Sequence, residues 1–203
     1  ININSTKPLY IIDSYRTPIE RKISSFFHNI KSHVPNYKDK SCEELIAIFN
    51  THYLTILEND ESINCVFDEY KIERFKQFDF TKGYNSKQVG NIIFIKLLFK
   101  DIHKWSTVLS TIFNKKITVQ DTNLSTNKDY YHAYEEFKKN YKIPKHYLTT
   151  LQNNEEFKIY NTKEEQEQYQ KAKKKNFHSA ITCFVKLKSW SFLFVLLTAS
   201  RMI

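Results

Sequence analysis

The stretch that decides the fold is LYIIDSYRTPIERKISSFF, residues 9–27. Its first four residues form an apolar run that is typical of a strand covered on both faces. After a polar turn, Thr17 is placed to cap a helix, Pro18 suits the first helical position, and Glu20 completes a capping box. A single helical stripe of apolar residues follows, formed by Ile19, Ile23, Phe26, Phe27 and Ile30. The pattern predicts a buried strand, a sharp turn and a helix that packs on the sheet.

The polar side of this unit carries groups that bind anions. Arg16 stands where the predicted strand ends, and the helix start adds N–H groups that lack a partner within the helix. Ser24 follows Thr17 by two helical turns and returns to nearly the same face. Because ligands of open α/β sheets bind beyond the carboxyl ends of the strands, these residues predict a phosphate cradle. Arg16 and Ser24 alone are equally compatible with an ordinary strand–helix unit and a solvated arginine.

A second strand signal is NIIFIKLLF, residues 91–99, which only Lys96 interrupts. This run predicts a central parallel strand. Residues 101–113 predict a helix with Asp101 as its N-cap, and residues 117–119 predict one more short strand. Two strand–helix pairs indicate an α/β fold. We expect an incomplete three-layer parallel sheet flanked by helices, rich in helix and short of at least one central strand.

Other local patterns predict further elements. Capping boxes from Ser41 to Glu44 and from Thr162 to Glu165 predict two helix starts. Aromatic residues recur between residues 64 and 80, where they are placed either to pack in a core or to line a sugar site. These aromatic residues are Phe67, Tyr70, Phe75, Phe78 and Phe80.

The composition is that of a basic globular protein. The chain has 203 residues and a formal charge of +9, which suggests anionic partners such as nucleotides, nucleic acid or acidic glycans. Only 2 Gly and 4 Pro argue against a turn-rich β-sandwich and against disorder. Three scattered cysteines and seven dispersed histidines lack metal-ligand spacing. We therefore predict no metal site, and either a reducing compartment or buried thiols.

The run Arg-x-Pro-x-x-Arg-x-x-Ser, from Arg16 to Ser24, resembles the 3′-phosphate-binding segment of sulfotransferases that use 3′-phosphoadenosine 5′-phosphosulfate. That family has a P-loop-like fold, and the likeness is greatest to proteins of capsular polysaccharide synthesis. It covers about residues 8–170, is specific at residues 16–24 and is diffuse elsewhere. By this resemblance Arg16 and Ser24 hold the 3′-phosphate of the nucleotide. Asn123 and Lys128 belong to a loop that closes over it.

The resemblance implies an activity and its partners. The co-substrate is 3′-phosphoadenosine 5′-phosphosulfate, and the acceptor is a hydroxyl of a glycan or polysaccharide. No nucleic-acid partner and no metal are expected. The implied location is cytoplasmic, or the Golgi lumen for a secretory enzyme of a eukaryote.

The chain departs from the family at the second phosphate site. The loop that holds the 5′-phosphosulfate is absent, and with only Gly83 and Gly90 a Walker-type loop is excluded. The family places this loop N-terminal to residue 9, and the chain begins with Ile1 rather than Met. We therefore expect a fragment without sulfotransferase activity that retains only weak nucleotide binding at Arg16. The catalytic base is not assigned; His28 and His33 lie at the far end of the predicted helix.

The C-terminal segment differs in composition from the rest of the chain. Residues 177–203 contain no Asp or Glu, and residues 190–199 are nearly all apolar or small. This run is too short to span a bilayer. We predict a sulfotransferase-like domain over residues 1–175 and an unrelated, dispensable tail over residues 176–203. A partner surface, a segment that touches a membrane and a misread reading frame all remain open for the tail.

Two other functions compete with the enzyme reading. A nucleic-acid-binding module would explain the charge and the many aromatic side chains, although no known motif accompanies them. A remnant of a disrupted gene would explain the missing start and the unusual tail.

Overall fold

The computed structural model describes residues 8–54, 63–120, 125–171 and 195–198. Its strands are β1 (Leu9–Tyr15), β2 (Tyr84–Val89), β3 (Ile92–Leu98) and β4 (Val195–Thr198). Its first five helices are α1 (Pro18–His28), α2 (Ile30–His33), α3 (Cys42–Ile48), α4 (Ile63–Glu69) and α5 (Trp105–Phe113). The remaining helices are α6 (Tyr131–Asn140), α7 (Lys145–Asn153), α8 (Glu155–Tyr160) and α9 (Lys163–Lys171). The fold is mixed α/β and rich in helix.

The chain divides into two compact units. A sheet unit contains residues 1–16, 58–120 and 192–203, and a helical unit contains residues 17–57 and 121–191. The boundary predicted after residue 175 lies outside the described residues. Among the described helices, none has the length and apolar character needed to cross a membrane.

The sheet is mixed, with strand order β2-β3-β1-β4. The predicted strands β1 and β3 are confirmed, and they pair in parallel. Both flanking strands run antiparallel to their neighbours, so the all-parallel sheet that we predicted is wrong. β2 was not predicted because YNSKQV is polar, as is usual for an edge strand. It enters β3 through a two-residue turn in which Gly90 adopts a φ of +59°.

Two further expectations about strands also differ from the structure. Residues 117–119 form no strand; instead, the N–H groups of Ile117 and Val119 donate to the hydroxyls of Ser110 and Ser106 on α5. The sequence predicts that the tail over residues 176–203 is unrelated to the domain. Its residues 195–198 nevertheless form β4 and pair with β1. β1 therefore has a neighbour on each side, although the sequence predicts a sheet short of at least one central strand.

Helices cover both faces of this sheet. Ile63 and Phe67 of α4 pack against Ile92 and Phe94 of β3. On the opposite face, Leu109 of α5 packs with Ile12, Ile95 and Leu97. Because side chains alternate between the faces of a strand, these two clusters account for the nearly continuous apolar run of β3.

The helical unit is organised around α1. The predicted apolar stripe of α1 is buried, but its partners are other helices of this unit rather than the predicted sheet. Pro18 is at the first turn of α1 as expected, whereas Thr17 makes no side-chain cap bond, so the capping box predicted there is wrong. The Thr17 hydroxyl instead accepts a hydrogen bond from the Tyr169 hydroxyl at 3.4 Å.

The other predicted caps have mixed outcomes. The capping box from Ser41 to Glu44 is formed at the start of α3. The one from Thr162 to Glu165 is formed as well, with both hydrogen bonds present. Asp101 does not cap α5, because a 3-10 segment from Phe99 to Lys104 intervenes and carries Asp101 at its kink.

Candidate anion-binding edge of the sheet

Arg16 extends from the carboxyl end of β1 onto an aromatic ring. β1 and β3 end side by side, with Tyr15 paired to Leu98. The Arg16 guanidinium carbon lies 4.8 Å from the centroid of the Phe99 ring. The Trp105 ring packs against the Phe99 ring in a T-shaped arrangement, with centroids 6.3 Å apart. The Nε1–H of Trp105 donates to the Leu98 carbonyl at 3.0 Å. The end of β1 thus presents a cation on a supported aromatic surface.

The charge of Arg16 is not compensated locally. Within residues 8–54, 63–120, 125–171 and 195–198, its guanidinium has no hydrogen bond and no ion pair with a carboxylate. A guanidinium that stacks on a ring keeps its N–H donors in its own plane, where they match the oxygens of a phosphate or a sulfate. The prediction that Arg16 stands at a strand end is therefore confirmed, and the position suits an anion.

A buried ion pair joins the same two strands, three residues before Arg16 on β1 and three residues before Phe99 on β3. Lys96 Nζ is 2.6 Å from Asp13 Oδ2, and the two side chains are only 1% and 12% exposed. The two residues are direct partners across the parallel ladder. Because an unpaired buried charge is costly, the pair stays charged only if further hydrogen bonds support it.

The structure supplies those hydrogen bonds at Asp13. Its Oδ2 also accepts from the backbone N–H of Ile63, at 3.0 Å, which is the first residue of α4. Its Oδ1 accepts from the backbone N–H of Ser14 at 2.7 Å. Sequence reasoning missed this pair, because Lys96 was seen only as an interruption of an apolar run. A usable signal was that each buried strand carries one charged residue, two positions before its last paired residue.

Ser24 lies in α1 and belongs to the helical unit, whereas Arg16 is the last residue of the sheet unit. The Ser24 side chain is buried at 7% exposure. Its hydroxyl forms no hydrogen bond with the described part of the chain. A helical serine can donate to the carbonyl four residues earlier, and in the described part of the chain this hydroxyl does not. The predicted pairing of Arg16 and Ser24 around one phosphate remains a prediction.

The remaining predicted site residues belong to the segment before α6. Lys128 follows a 3-10 turn, Ser125–Asn127, and is partly exposed. In the described ranges its ammonium group has no carboxylate partner. Asn123 lies outside the described residues. The role of both in closing over a nucleotide remains a prediction.

The aromatic residues that could line a sugar site separate into two groups. Phe67 packs in the core against Phe94, with ring centroids 5.0 Å apart, and Phe78 is buried as well. Tyr70 and Phe80 are exposed instead, and Phe80 is 43% exposed. Lys100 Nζ lies 5.6 Å from the centroid of the Phe80 ring. Core packing therefore explains the buried members of the segment, and the exposed ones remain candidates for ligand contact.

Two of the three cysteines, Cys42 and Cys65, lie in the described part of the chain. Cys42 is buried and Cys65 is exposed. Of the two predicted alternatives, a reducing compartment or buried thiols, burial therefore does not account for Cys65. Burial raises the pKa of the Cys42 thiol. Cys183 lies outside the described residues.

Comparison with models of protein families, with curated proteins and with solved structures finds no significant match.

Proposed function

We propose that this chain is a sulfotransferase-like protein of the kind that transfers a sulfonyl group from 3′-phosphoadenosine 5′-phosphosulfate to a glycan hydroxyl, as in capsular polysaccharide synthesis, and that on its own it binds the nucleotide without catalysing the transfer. The proposal depends mainly on the Arg16 guanidinium at the carboxyl end of a parallel strand, which has no carboxylate partner among the described residues. It also depends on the resemblance of residues 16–24 to the 3′-phosphate segment of that family. The fold that goes with this proposal is sulfotransferase-like and P-loop-like, and the parallel pairing of β1 with β3 is compatible with it.

Arg16 supports the proposal through its surroundings. An arginine that serves only the fold is expected to pair with a carboxylate, as Arg74 does with Asp68 in the same unit. Arg16 lies against an aromatic ring instead, and among the described residues its guanidinium has no carboxylate partner. A phosphate, with its oxygens spaced for two parallel N–H donors, is the natural partner of that geometry.

The start of α1 adds a second source of attraction for an anion. Pro18 occupies the first turn, and the first backbone bond of the helix runs from Arg21 N–H to the Thr17 carbonyl at 3.0 Å. The N–H group of Ile19 therefore precedes the first bond of the helix. Together with the helix dipole, it favours negative charge close to residues 17–20.

The reaction implied by the proposal is an in-line transfer of the sulfonyl group from the phosphosulfate to a hydroxyl. Such chemistry depends on positioning and on neutralising the charge of the leaving phosphate. Arg16 and Ser24 would hold the 3′-phosphate, and Asn123 and Lys128 would close over the nucleotide. No described residue is assigned as the base that accepts the proton of the acceptor hydroxyl.

A calorimetric titration tests the proposal with three ligands. Adenosine 3′,5′-bisphosphate should bind, and adenosine 5′-monophosphate, which lacks the 3′-phosphate, should bind much more weakly. A polynucleotide should bind weakly at physiological salt. If the polynucleotide binds tightly with a steep salt dependence and the bisphosphate does not bind, the protein is a nucleic-acid-binding module.

Two matched pairs of variants locate the site. We expect Arg16→Ala to weaken bisphosphate binding by about 1.5–3 kcal/mol, the range of hydrogen bonds to charged groups, and Arg74→Ala to leave it unchanged. We expect Ser24→Ala to weaken it by about 0.5–1.5 kcal/mol and the neighbouring, exposed Ser25→Ala to have no effect. Equal binding by the parent, Arg16→Ala and Ser24→Ala would refute the cradle.

A further inference from the structure

The contact between Arg16 and Phe99 continues the ladder of the two parallel strands. The register pairs Asp13 with Lys96, Ser14 with Leu97, and Tyr15 with Leu98. Counting one residue further along each strand brings Arg16 opposite Phe99, and these are the residues whose side chains stack. The position of the cation is therefore a consequence of the register between β1 and β3.

The buried ion pair is the part of this ladder that distinguishes one register from another. Most other positions of β3 are apolar, and apolar side chains tolerate exchange of partners. A shift of β1 by one residue would turn Asp13 to the opposite face from Lys96. A shift by two residues would place it opposite Phe94 or Leu98 and separate the two opposite charges. Only the observed register pairs the Asp13 carboxylate with the Lys96 ammonium.

The same carboxylate fixes the helix that covers this part of the sheet. Asp13 Oδ2 accepts from Lys96 Nζ and from the N–H of Ile63, where α4 begins. α4 packs on the face of the sheet that carries Phe94. Any displacement of Asp13 along β3 would break the bond to α4 as well, so helix and ladder hold β1 in one position.

We propose that Asp13 and Lys96 are positioning residues that place the Arg16 guanidinium on Phe99 for anion binding. The role in binding rests on the function proposed above, whereas the role in placing Arg16 does not. The pair is too deeply buried to touch a ligand: Lys96 is 1% exposed. It acts on the site only through the register of β1 and β3.

Nuclear magnetic resonance of the full chain tests the placement without any ligand. In the parent protein the Arg16 guanidinium carbon lies 4.8 Å from the centroid of the Phe99 ring, and we expect the neighbouring Hδ protons to resonate upfield of their random-coil position. We expect Lys96→Met and the neutral double variant Asp13→Asn/Lys96→Met to lose most of this upfield shift. Their far-ultraviolet circular dichroism should remain that of a folded protein. The matched control is Lys87→Met, which replaces a lysine of β2 that lies over Phe67 and Phe75. This variant should keep the upfield shift of Arg16.

The neutral double variant decides the outcome if Lys96→Met fails to fold, because it leaves no buried charge without a partner. Retention of the upfield signals in the folded double variant would overturn the proposal. Unfolding of the double variant would overturn it too, since the pair would then serve the whole fold rather than the position of Arg16.

Titration of the same variants with adenosine 3′,5′-bisphosphate tests the link to binding. We expect affinity to fall about tenfold in the double variant, equivalent to about 1.4 kcal/mol, and to remain unchanged in Lys87→Met. If the parent does not bind the bisphosphate, the proposed function fails, while the resonance measurement still decides the placement of Arg16. If the parent binds and the double variant binds equally well, the positioning role fails and the proposed function stands.

Discussion

The sheet unit and the helical unit use their buried residues differently. The core of the helical unit is largely a cluster of aromatic rings in mutual contact; for example, Phe137 lies within 5.0–6.1 Å of four other rings, measured between centroids. The sheet unit instead buries two opposite charges between its parallel strands. Apolar packing supplies most of the stability of a unit, whereas a buried ion pair adds little stability and specifies one arrangement. The comparison indicates that precise placement matters most in the sheet unit.

Buried cations sharpen this contrast. In the helical unit, Lys22 donates to the Tyr53 carbonyl at 3.2 Å, and Lys138 pairs with Glu135 while its ammonium lies 4.2 Å from the centroid of the Tyr134 ring. Both cations are therefore satisfied by their own unit. Arg16 differs, because within the described part of the sheet unit its guanidinium meets only a ring.

The largest effect is expected in the aromatic core. Phe137→Ala removes a fully buried ring that contacts Phe26, Phe27, Phe49 and Tyr141. We expect a loss of about 3–5 kcal/mol in the free energy of unfolding, measured by urea denaturation.

The matched control for the aromatic core is Phe80→Ala, which removes a 43% exposed ring from the sheet unit and should cost far less. Equal losses for Phe137→Ala and Phe80→Ala would contradict the view that the helical unit depends on its aromatic core.

The next effect is expected at the ion pair. Lys96→Ala leaves the Asp13 carboxylate buried without its cation, and we expect a loss of about 3 kcal/mol. Lys76→Ala breaks an exposed pair with Glu73 and should cost far less, because solvent screens exposed pairs. Thermal and urea unfolding measure both. A small loss for Lys96→Ala would show that the register does not depend on the pair.

Removal of β4 is expected to have a smaller effect. A chain that ends at Phe194 exposes the edge of β1, and losing this four-residue ladder should cost about 1–3 kcal/mol. A chain that ends at Thr198 keeps β4 and serves as the control. Unchanged stability of the shorter chain would favour the dispensable tail that the sequence predicts.

The smallest effect is expected at a helix cap. Ser41→Ala removes the side-chain acceptor for the Glu44 N–H and should destabilise the helical unit by about 1 kcal/mol. Ser41→Gly should cost only a few tenths of a kcal/mol, since glycine is tolerated at this position. A loss of equal size in both variants would point to a contact other than the cap.

Features that depend on local patterns could be predicted from the sequence. The apolar runs gave β1 and β3, and the spacing of Ser41 and Glu44 gave the start of α3. Arg16 was recognised because a cation at the end of a buried strand is a local feature. β2 was missed because its polar side chains suit an exposed edge and lack the apolar signal of a buried strand.

Features that depend on register could not be predicted in the same way. Asp13 and Lys96 are 83 residues apart. Only the pairing of β1 with β3 brings them into contact, and no local pattern specifies that pairing. For the same reason Phe99 was not identified as the support of Arg16. Thr17 was misassigned as a cap because its hydroxyl has a distant partner, Tyr169.

The central claim is that the Arg16 guanidinium is an anion-binding group, and its side-chain Nε–H resonance tests this most directly. Addition of adenosine 3′,5′-bisphosphate to the full chain should shift that resonance in a saturable manner, because a phosphate oxygen would accept a hydrogen bond from the guanidinium. The Nε–H of Arg74, which already donates to Asp68, should not move. Saturable binding seen elsewhere in the spectrum with an unchanged Arg16 resonance, or no binding at all, would contradict the account.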